Sequence, residues 1–269
     1  MSARNNQANK AAARDRLRAE RERQAKKDKT RRQVFVAGSI VVVLAIAAGV
    51  GYGVMQLNKP SHWEAAKSDK VVVPKNATGE NGTTVVIGKA SAKKTLEMYE
   101  DPRCPICATF DQTVGATVQK DVDAGKYKIQ YIGATFLDNN GGEGSKNGLS
   151  ALGAALDVSP TAFEHYKTAM YSAKWHPEET DDKFKDDAYL IKIAQTVPEL
   201  KDNKAFQKAV NDGTYDAWAM KMSAKFDKSG VTGTPSLKMD GKKLTSEGSD
   251  NAPMTVADFN TVLDKALKA

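Results

Sequence analysis

Glu100-Asp101-Pro102-Arg103-Cys104-Pro105-Ile106-Cys107 is the stretch on which the reading of the chain turns. It contains the only two cysteines among 269 residues, spaced Cys-x-x-Cys. Thr95-Leu96-Glu97-Met98-Tyr99 leads into it with the alternation of a strand, and a helical pattern follows. A thiol attacks a disulfide only as the thiolate, so a reactive pair needs a setting that lowers the thiol pKa from about 8.5. The start of a helix is such a setting, because its free N–H groups and dipole favour negative charge. Pro105 suits the first helical turn, where its missing N–H costs no hydrogen bond. Cys104 is therefore expected at the helix N-terminus, exposed and able to attack. Cys107 is expected one turn on, on the same face and deeper, where it can close or resolve a disulfide. Arg103 is expected to add positive charge that favours the thiolate.

Two other readings stand beside this one. The pair could be half of a zinc site, but zinc usually takes four Cys or His ligands, and His62, His165 and His176 are distant in sequence. It could be an inert structural disulfide, but so small a loop would restrict the unfolded chain little.

The net charge of +7 is unevenly spread. Residues 1–32 hold 12 Lys/Arg against 4 Asp/Glu, leaving 28 against 29 for the rest. The folded part is close to neutral, which excludes nucleic-acid binding by bulk charge. Two cysteines, both in one Cys-x-x-Cys motif, do not make a disulfide-stapled scaffold.

Val34 to Met55 is a 22-residue run without a charge, preceded by Lys29-Thr30-Arg31-Arg32. That length can cross a hydrocarbon core, and the basic flank keeps the N-terminus cytoplasmic. The expected order is a cytoplasmic basic arm over 1–33, a transmembrane helix over 34–55, an extracytoplasmic linker over 56–83 and a folded domain over 84–269. A cleaved signal peptide ending near Ala45-Ile46-Ala47 is the alternative to an uncleaved anchor. Pro60, Pro74, Asn76, Gly79 and Gly82 give the linker its tether-like look, with a partly ordered piece around Trp63 or Val71-Val72-Val73.

Within 84–269, strands are expected at 84–87, 95–99 and 128–137, with a helix over 107–124 between the second and third. That is a βαβ unit. A purely helical block follows over about 141–228, with helices at 146–156, 160–175, 182–196 and 203–228. Asp240-Gly241 then marks a hairpin, and a last amphipathic helix covers 256–267.

This order resembles the thioredoxin superfamily, and more closely its DsbA-like thiol–disulfide oxidoreductases of the membrane-anchored bacterial type. The matching features are Cys104-Pro105-Ile106-Cys107, the Gly233-Thr234-Pro235 turn, the helical block between them and the final hairpin and helix. The resemblance implies an α/β thioredoxin fold with an inserted all-helical subdomain, preceded by a single N-terminal transmembrane helix. It implies Cys104 and Cys107 as the catalytic pair, supported by Pro105, Ile106 and Arg103. It also implies that Pro235 is a cis-proline beside the cysteines, leaving the backbone of Thr234 free to pair with a client peptide.

Two departures qualify it. DsbA has histidine where this chain has Ile106, so the thiol is expected to be less acidic and the protein a weaker oxidant. Family members often carry an acid six residues before the first cysteine, as proton acceptor for the buried thiol. Met98 stands there, so Glu100 and Glu97 become the candidates, although alternation points Glu97 the other way.

The expected activity is disulfide exchange with exported proteins, leaning to oxidation because the compartment is oxidising. Reductase and isomerase are the alternatives. The redox-active pair needs no cofactor or metal, and a separate redox partner must recharge it. A different class of function is a thiol-based copper chaperone or a non-catalytic binding module. Cu(I) accepts two thiolates, but Met98 is the only methionine near the pair.

Overall fold

The structure is a computed structural model that describes residues 61–268 and, separately, helical positions Glu20, Arg21, Arg23, Gln24, Lys26 and Lys27. The expected membrane span over 34–55 lies outside the described residues. Among those described, no helix is long and apolar enough to cross a membrane.

Strand β2 (Thr95–Glu100) is the middle of a five-stranded sheet. On one side it pairs in parallel with β3 (Lys128–Gly133), which pairs antiparallel with β1 (Val85–Ile87) at the edge. On the other it pairs antiparallel with β4 (Ser236–Met239), which turns at Asp240-Gly241 into β5 (Lys242–Lys243). Alternation along β2 sends neighbours to opposite faces. Tyr99 meets Phe226 edge-on, 6.3 Å between centroids. Met98 is side by side with Tyr131, whose ring meets Phe163 at 5.1 Å.

The β2–β3 crossover is α2 (Pro105–Phe110), a π-helical turn over Asp111–Gly115 and α3 (Ala116–Ala124). Phe110, Val114, Val118 and Val122 are its buried stripe, and Gly125 ends it at φ +78°. β3 stops four residues earlier than the pattern suggests. A 3-10 turn over Phe136–Asn140 takes over beyond Gly133, where Leu149 packs so closely that a Cβ would lie 2.4 Å from its Cδ1.

Between β3 and β4 come α4 (Gly144–Val158), α5 (Pro160–Tyr171), α6 (Asp187–Ala194), α7 (Lys204–Asn211) and α8 (Asp216–Asp227). The single helix expected over 203–228 is two. Gly213, at φ +60°, breaks it where a Cβ would lie 2.2 Å from Asp216 Oδ2. The helix expected to reach Trp175 ends at Tyr171. The last helix, α9 (Val256–Lys268), sets Phe259 against Phe110 at 6.3 Å.

The tether expected over 56–83 needs correcting from residue 61 onward. Helix α1 (His62–Ala66) buries Trp63 and Ala66 against Met220 of α8. His62 Nε2 sits 2.7 Å from Asp216 Oδ2. Asn76 Nδ2 donates to Leu156 O at 2.8 Å, and Trp218 Nε1 to Gly82 O at 2.8 Å. Residues 61–83 are thus a strap held by polar contacts and one buried indole. Such contacts leave no periodic trace in a sequence.

Candidate active site

Cys104 is the N-cap of α2, with extended backbone, and Pro105 opens the first turn. Its Sγ accepts from the Cys107 N–H at 3.3 Å, so the sulfur occupies the place of a capping oxygen. Cys104 is more sheltered than expected, at 5% exposure, and Cys107 has none. Ile106 between them is more than half exposed. Both cysteines are free thiols.

Pro235 closes the site from the far end of the helical insertion. The Thr234–Pro235 bond is cis, and Cys104 Sγ donates to Thr234 O at 3.4 Å. Part of the Thr234 backbone is therefore already engaged by the sulfur in the reduced state, and not wholly free for a peptide. The Thr234 hydroxyl is buried and has no other partner, so it too is available to the sulfur.

The two thiols are driven apart. Hydrogen bonding from the Cys107 thiol lowers the Cys104 pKa to about 7 against the opposing effect of burial. The Thr234 hydroxyl and the N–H groups of Cys107 and Ile106 assist. Burial, followed by the hydrogen bond and charge of Cys104 and the charge of Glu100, pushes Cys107 well up. At neutral pH one sulfur is poised to ionise and the other holds its proton.

Arg103 does not act as expected. Its guanidinium turns away into the helical insertion, with Nη1 2.9 Å from both Asp138 Oδ1 and Gly141 O. Nη2 is 2.8 Å from Glu179 O, and Nε faces Asp182 Oδ1 at 3.3 Å. With its charge answered by two carboxylates, it is not among the causes that lower Cys104.

The two acids separate as well. Glu97 accepts from Tyr99 OH at 2.6 Å on the face of β2 opposite Met98 and Glu100, so it is not placed to serve Cys107. Glu100 is wholly buried, and burial raises its pKa. Lys167 Nζ contacts Glu100 Oε2 at 3.2 Å and donates to Asp111 Oδ1 at 2.8 Å.

Lys167, Asp111 and Thr234 Oγ1 were not singled out from sequence for these contacts. Lys167 did leave a signal, as a lysine inside the stripe Phe163, Tyr166, Met170 and Tyr171 that α5 buries. His176, in the loop after α5, has Nε2 at 3.1 Å from Pro102 O and so braces the loop before Cys104. Among the described residues, no group of three or more His, Cys, Asp or Glu is arranged to hold a metal.

A family model described as thioredoxin matches residues 80–265. The oxidised crystal structure of DsbA from Mycobacterium tuberculosis is similar, with TM-score 0.56 and 23% identity over 69% of this chain and 93% of that one. Oxidised BdbD from Bacillus subtilis superposes with TM-score 0.56 at 18% identity, covering 74% of this chain and all of that one. At these identities the likeness is one of fold. Disulfide bond formation protein D of Bacillus subtilis is 21% identical over 160 residues, 59% of this chain and 68% of that protein. The serine/threonine-protein kinase PknE of Mycobacterium tuberculosis is 26% identical over 118 residues; that match takes in 42% of this chain but spans only 20% of the kinase.

Proposed function

The chain belongs to the thioredoxin family, and from the arrangement of its two sulfurs we propose that it is a thiol–disulfide oxidoreductase, anchored in the membrane through residues 34–55 and facing outward to exchange disulfides with exported proteins. One observation carries the reading. Cys104 caps a helix beside a cis-proline with its pKa lowered to about 7, while Cys107 lies buried behind it and keeps its proton. Neither a structural disulfide nor a half zinc site calls for such a split.

In the oxidising direction a client thiolate attacks Cys104 Sγ of the Cys104–Cys107 disulfide. That bond breaks, a client–Cys104 disulfide forms, and Cys107 leaves and takes up a proton. The client's second thiolate then attacks the client sulfur of the mixed disulfide, and Cys104 departs as a thiolate. The client loses two electrons and the enzyme gains two. A separate redox partner removes them to restore the disulfide. The proton exchange with Cys107 is assigned to Glu100, a buried acid on the same stretch whose charge acts on that thiol. A cavity of about 590 Å³, lined by Ile106, Val231, Thr234, Pro235, Lys238 and Met254, offers an extended client segment a place beside the sulfurs.

The oxidising direction rests on the compartment that the apolar run implies. The reductase reading draws on the same residues: hydrogen bonds lower the Cys104 pKa only to about 7 against burial, and isoleucine at 106 has no donor to add. Less thiolate stabilisation makes a weaker oxidant, in line with isoleucine at 106. Refolding of reduced ribonuclease by the oxidised protein, set against insulin reduction by the reduced protein, separates the directions. Cys104→Ser abolishes both if the proposal holds. An unchanged rate in that variant ends it.

A further inference from the structure

The residue immediately before the first cysteine is bonded almost entirely to the helical insertion. Arg103 donates from Nη1 to Asp138 and Gly141 O and from Nη2 to Glu179 O, while Nε, without a hydrogen bond of its own, faces Asp182 at ion-pair distance. The two carboxylates are not loose surface charges. Asp138 accepts from the N–H groups of Ser145 and Lys146 at 2.9 and 3.0 Å. Asp182 accepts from those of Glu143 and Gly144 at 2.9 and 3.0 Å. Both therefore cap the N-terminus of α4, the longest helix of the insertion, and Arg103 is clasped between the caps. The enclosure is tight. A Cβ on Gly142 would lie 2.6 Å from Arg103 Nη1, and one on Gly144 would lie 2.5 Å from Asp182 Oδ1.

The neighbours of Arg103 are held from the same side. Asp101 Oδ1 accepts from Ser145 Oγ at 2.6 Å, Tyr171 OH donates to Asp101 O at 3.1 Å, and His176 Nε2 is at 3.1 Å from Pro102 O. A rigid, planar fork that hydrogen-bonds one carboxylate and two carbonyls and pairs with a second carboxylate fixes its own backbone as no flexible side chain would. The backbone it fixes leads directly into the sulfur.

The geometry points to Arg103 as a positioning residue, through which the helical insertion holds the Cys104 sulfur in register with its hydrogen-bond donors at the head of α2 and in the Thr234 side chain. The insertion is then part of the redox machinery and not only a wall for clients. It tunes the exchange reaction of the proposed function, but the claim concerns the ionisation of one thiol and can be tested without any client.

The test titrates the Cys104 thiolate by its ultraviolet absorbance in the full chain carrying Cys107→Ser, with and without Arg103→Gln, Asp138→Asn or Gly144→Ala. The two-cysteine forms are equilibrated with glutathione in parallel. Loss of the clasp lets the sulfur drift from its donors. Arg103→Gln is expected to move the titration midpoint up by about one unit, and the glutathione equilibrium about tenfold toward the disulfide form. Asp138→Asn and Gly144→Ala are expected to act in the same direction with smaller shifts. Leu156→Ala, a cavity in the buried face of α4 away from the clasp, is the control: it lowers the melting temperature and leaves the midpoint in place. The inference is overturned if Arg103→Gln lowers the melting temperature with the midpoint unmoved, or if Leu156→Ala moves the midpoint as far. Should Arg103→Gln fail to fold, Gly144→Ala decides on the same two outcomes, since it leaves every charge in place. Absence of thiol exchange in the unmodified chain would sink the proposed function but would leave this titration free to decide.

Discussion

Cys104 Sγ lies 3.4 Å from the carbonyl oxygen of Thr234, a residue 130 positions later in the chain. The contact joins the head of α2 to the segment before β4, and it brings the Thr234 hydroxyl to the same sulfur. While the sulfur is protonated, the carbonyl accepts its hydrogen. Once it ionises, the carbonyl has nothing to accept and the hydroxyl is the group that can donate. The two polar atoms of one residue therefore serve the two states of the thiol.

Thr234→Val keeps the shape of the side chain and removes the donor. A hydrogen bond to a charged group contributes about 1.5–3 kcal/mol, and about 1.4 kcal/mol corresponds to tenfold in ionisation. Alkylation of Cys104 at pH 7 is expected to slow by roughly tenfold, and Thr234→Ser to restore most of it. Equal rates for Thr234→Val and the parent would show that the hydroxyl does not serve the thiolate.

The pH profile of the reduced protein follows from the two thiols. Iodoacetamide labelling of the native chain is expected to rise as pH passes through about 7 and to fall entirely on Cys104. Stability has two opposed contributions. The Cys104 pKa is lower in the folded state than in the unfolded one, so its contribution is full above about 8.5 and is lost as pH falls through about 7. The Cys107 pKa is raised, so its contribution is present below about 8.5 and is lost as pH rises beyond that. Chemical denaturation of the Cys107→Ser form, whose hydroxyl takes the place of the thiol as donor to Cys104, isolates the first: its stability should climb between pH 7 and 9. The two-cysteine form should flatten or turn over above about 8.5.

Glu100→Gln tests the buried acid. Burial raises the Glu100 pKa, so the folded state favours its protonated form. The stability this gives is complete below the unfolded value of about 4.3 and is lost as pH rises through the folded value. Gln escapes that loss, so the variant should gain on the parent in denaturation midpoint as pH rises, with Lys167 still held by Asp111. Kinetically, alkylation of Cys104 should be unchanged. The step in which Cys107 gives up or takes its proton should slow by about a hundredfold, the lower end of what a positioned acid–base group contributes. Stopped-flow resolution of a preformed mixed disulfide at Cys104 reads that step directly.

Much of the architecture is legible from periodicity. The alternation of Leu96 and Met98, the near-four spacing from Phe110 to Val122 and the turn at Asp240-Gly241 each report a local rule, and each element is found where that rule places it. What is not legible depends on partners far along the chain. Nothing near Arg103 announces Asp138 or Asp182, so the sequence alone points its charge at the sulfur next door. The break at Gly213 is of another kind: Asn211-Asp212-Gly213 is a local helix-end signal that the apolar pattern on either side overrides, and its φ of +60° leaves no room for a Cβ beside Asp216. At the site, the cysteines, Pro235 and the acid at Glu100 stand out by residue type and position in the strand–helix–strand order. The Thr234 hydroxyl does not, and Lys167 shows only as a lysine inside an apolar stripe, because their roles exist only once α5 and the loop before β4 have packed.

The strap over residues 61–83 makes a separate prediction about where the folded unit begins. Trp63 is 5% exposed and packs with Ala66 against Met220, while Lys225 Nζ donates to Thr83 O at 2.7 Å and Trp218 to Gly82 O. Removing the strap would leave the Trp218 indole N–H buried without an acceptor, at about 1–3 kcal/mol. Trp63→Ala should cost about 3 kcal/mol, the low end for a buried tryptophan, because so few apolar neighbours surround it. A fragment starting at Ser61 should therefore match the longer chain in denaturant midpoint, and one starting at Thr84 should unfold at clearly lower denaturant. Cys104 labelling in the fragments that remain folded should be the same, since no strap residue touches either sulfur or the Arg103 clasp. Equal midpoints for the Ser61 and Thr84 fragments would return residues 61–83 to the status of a simple tether.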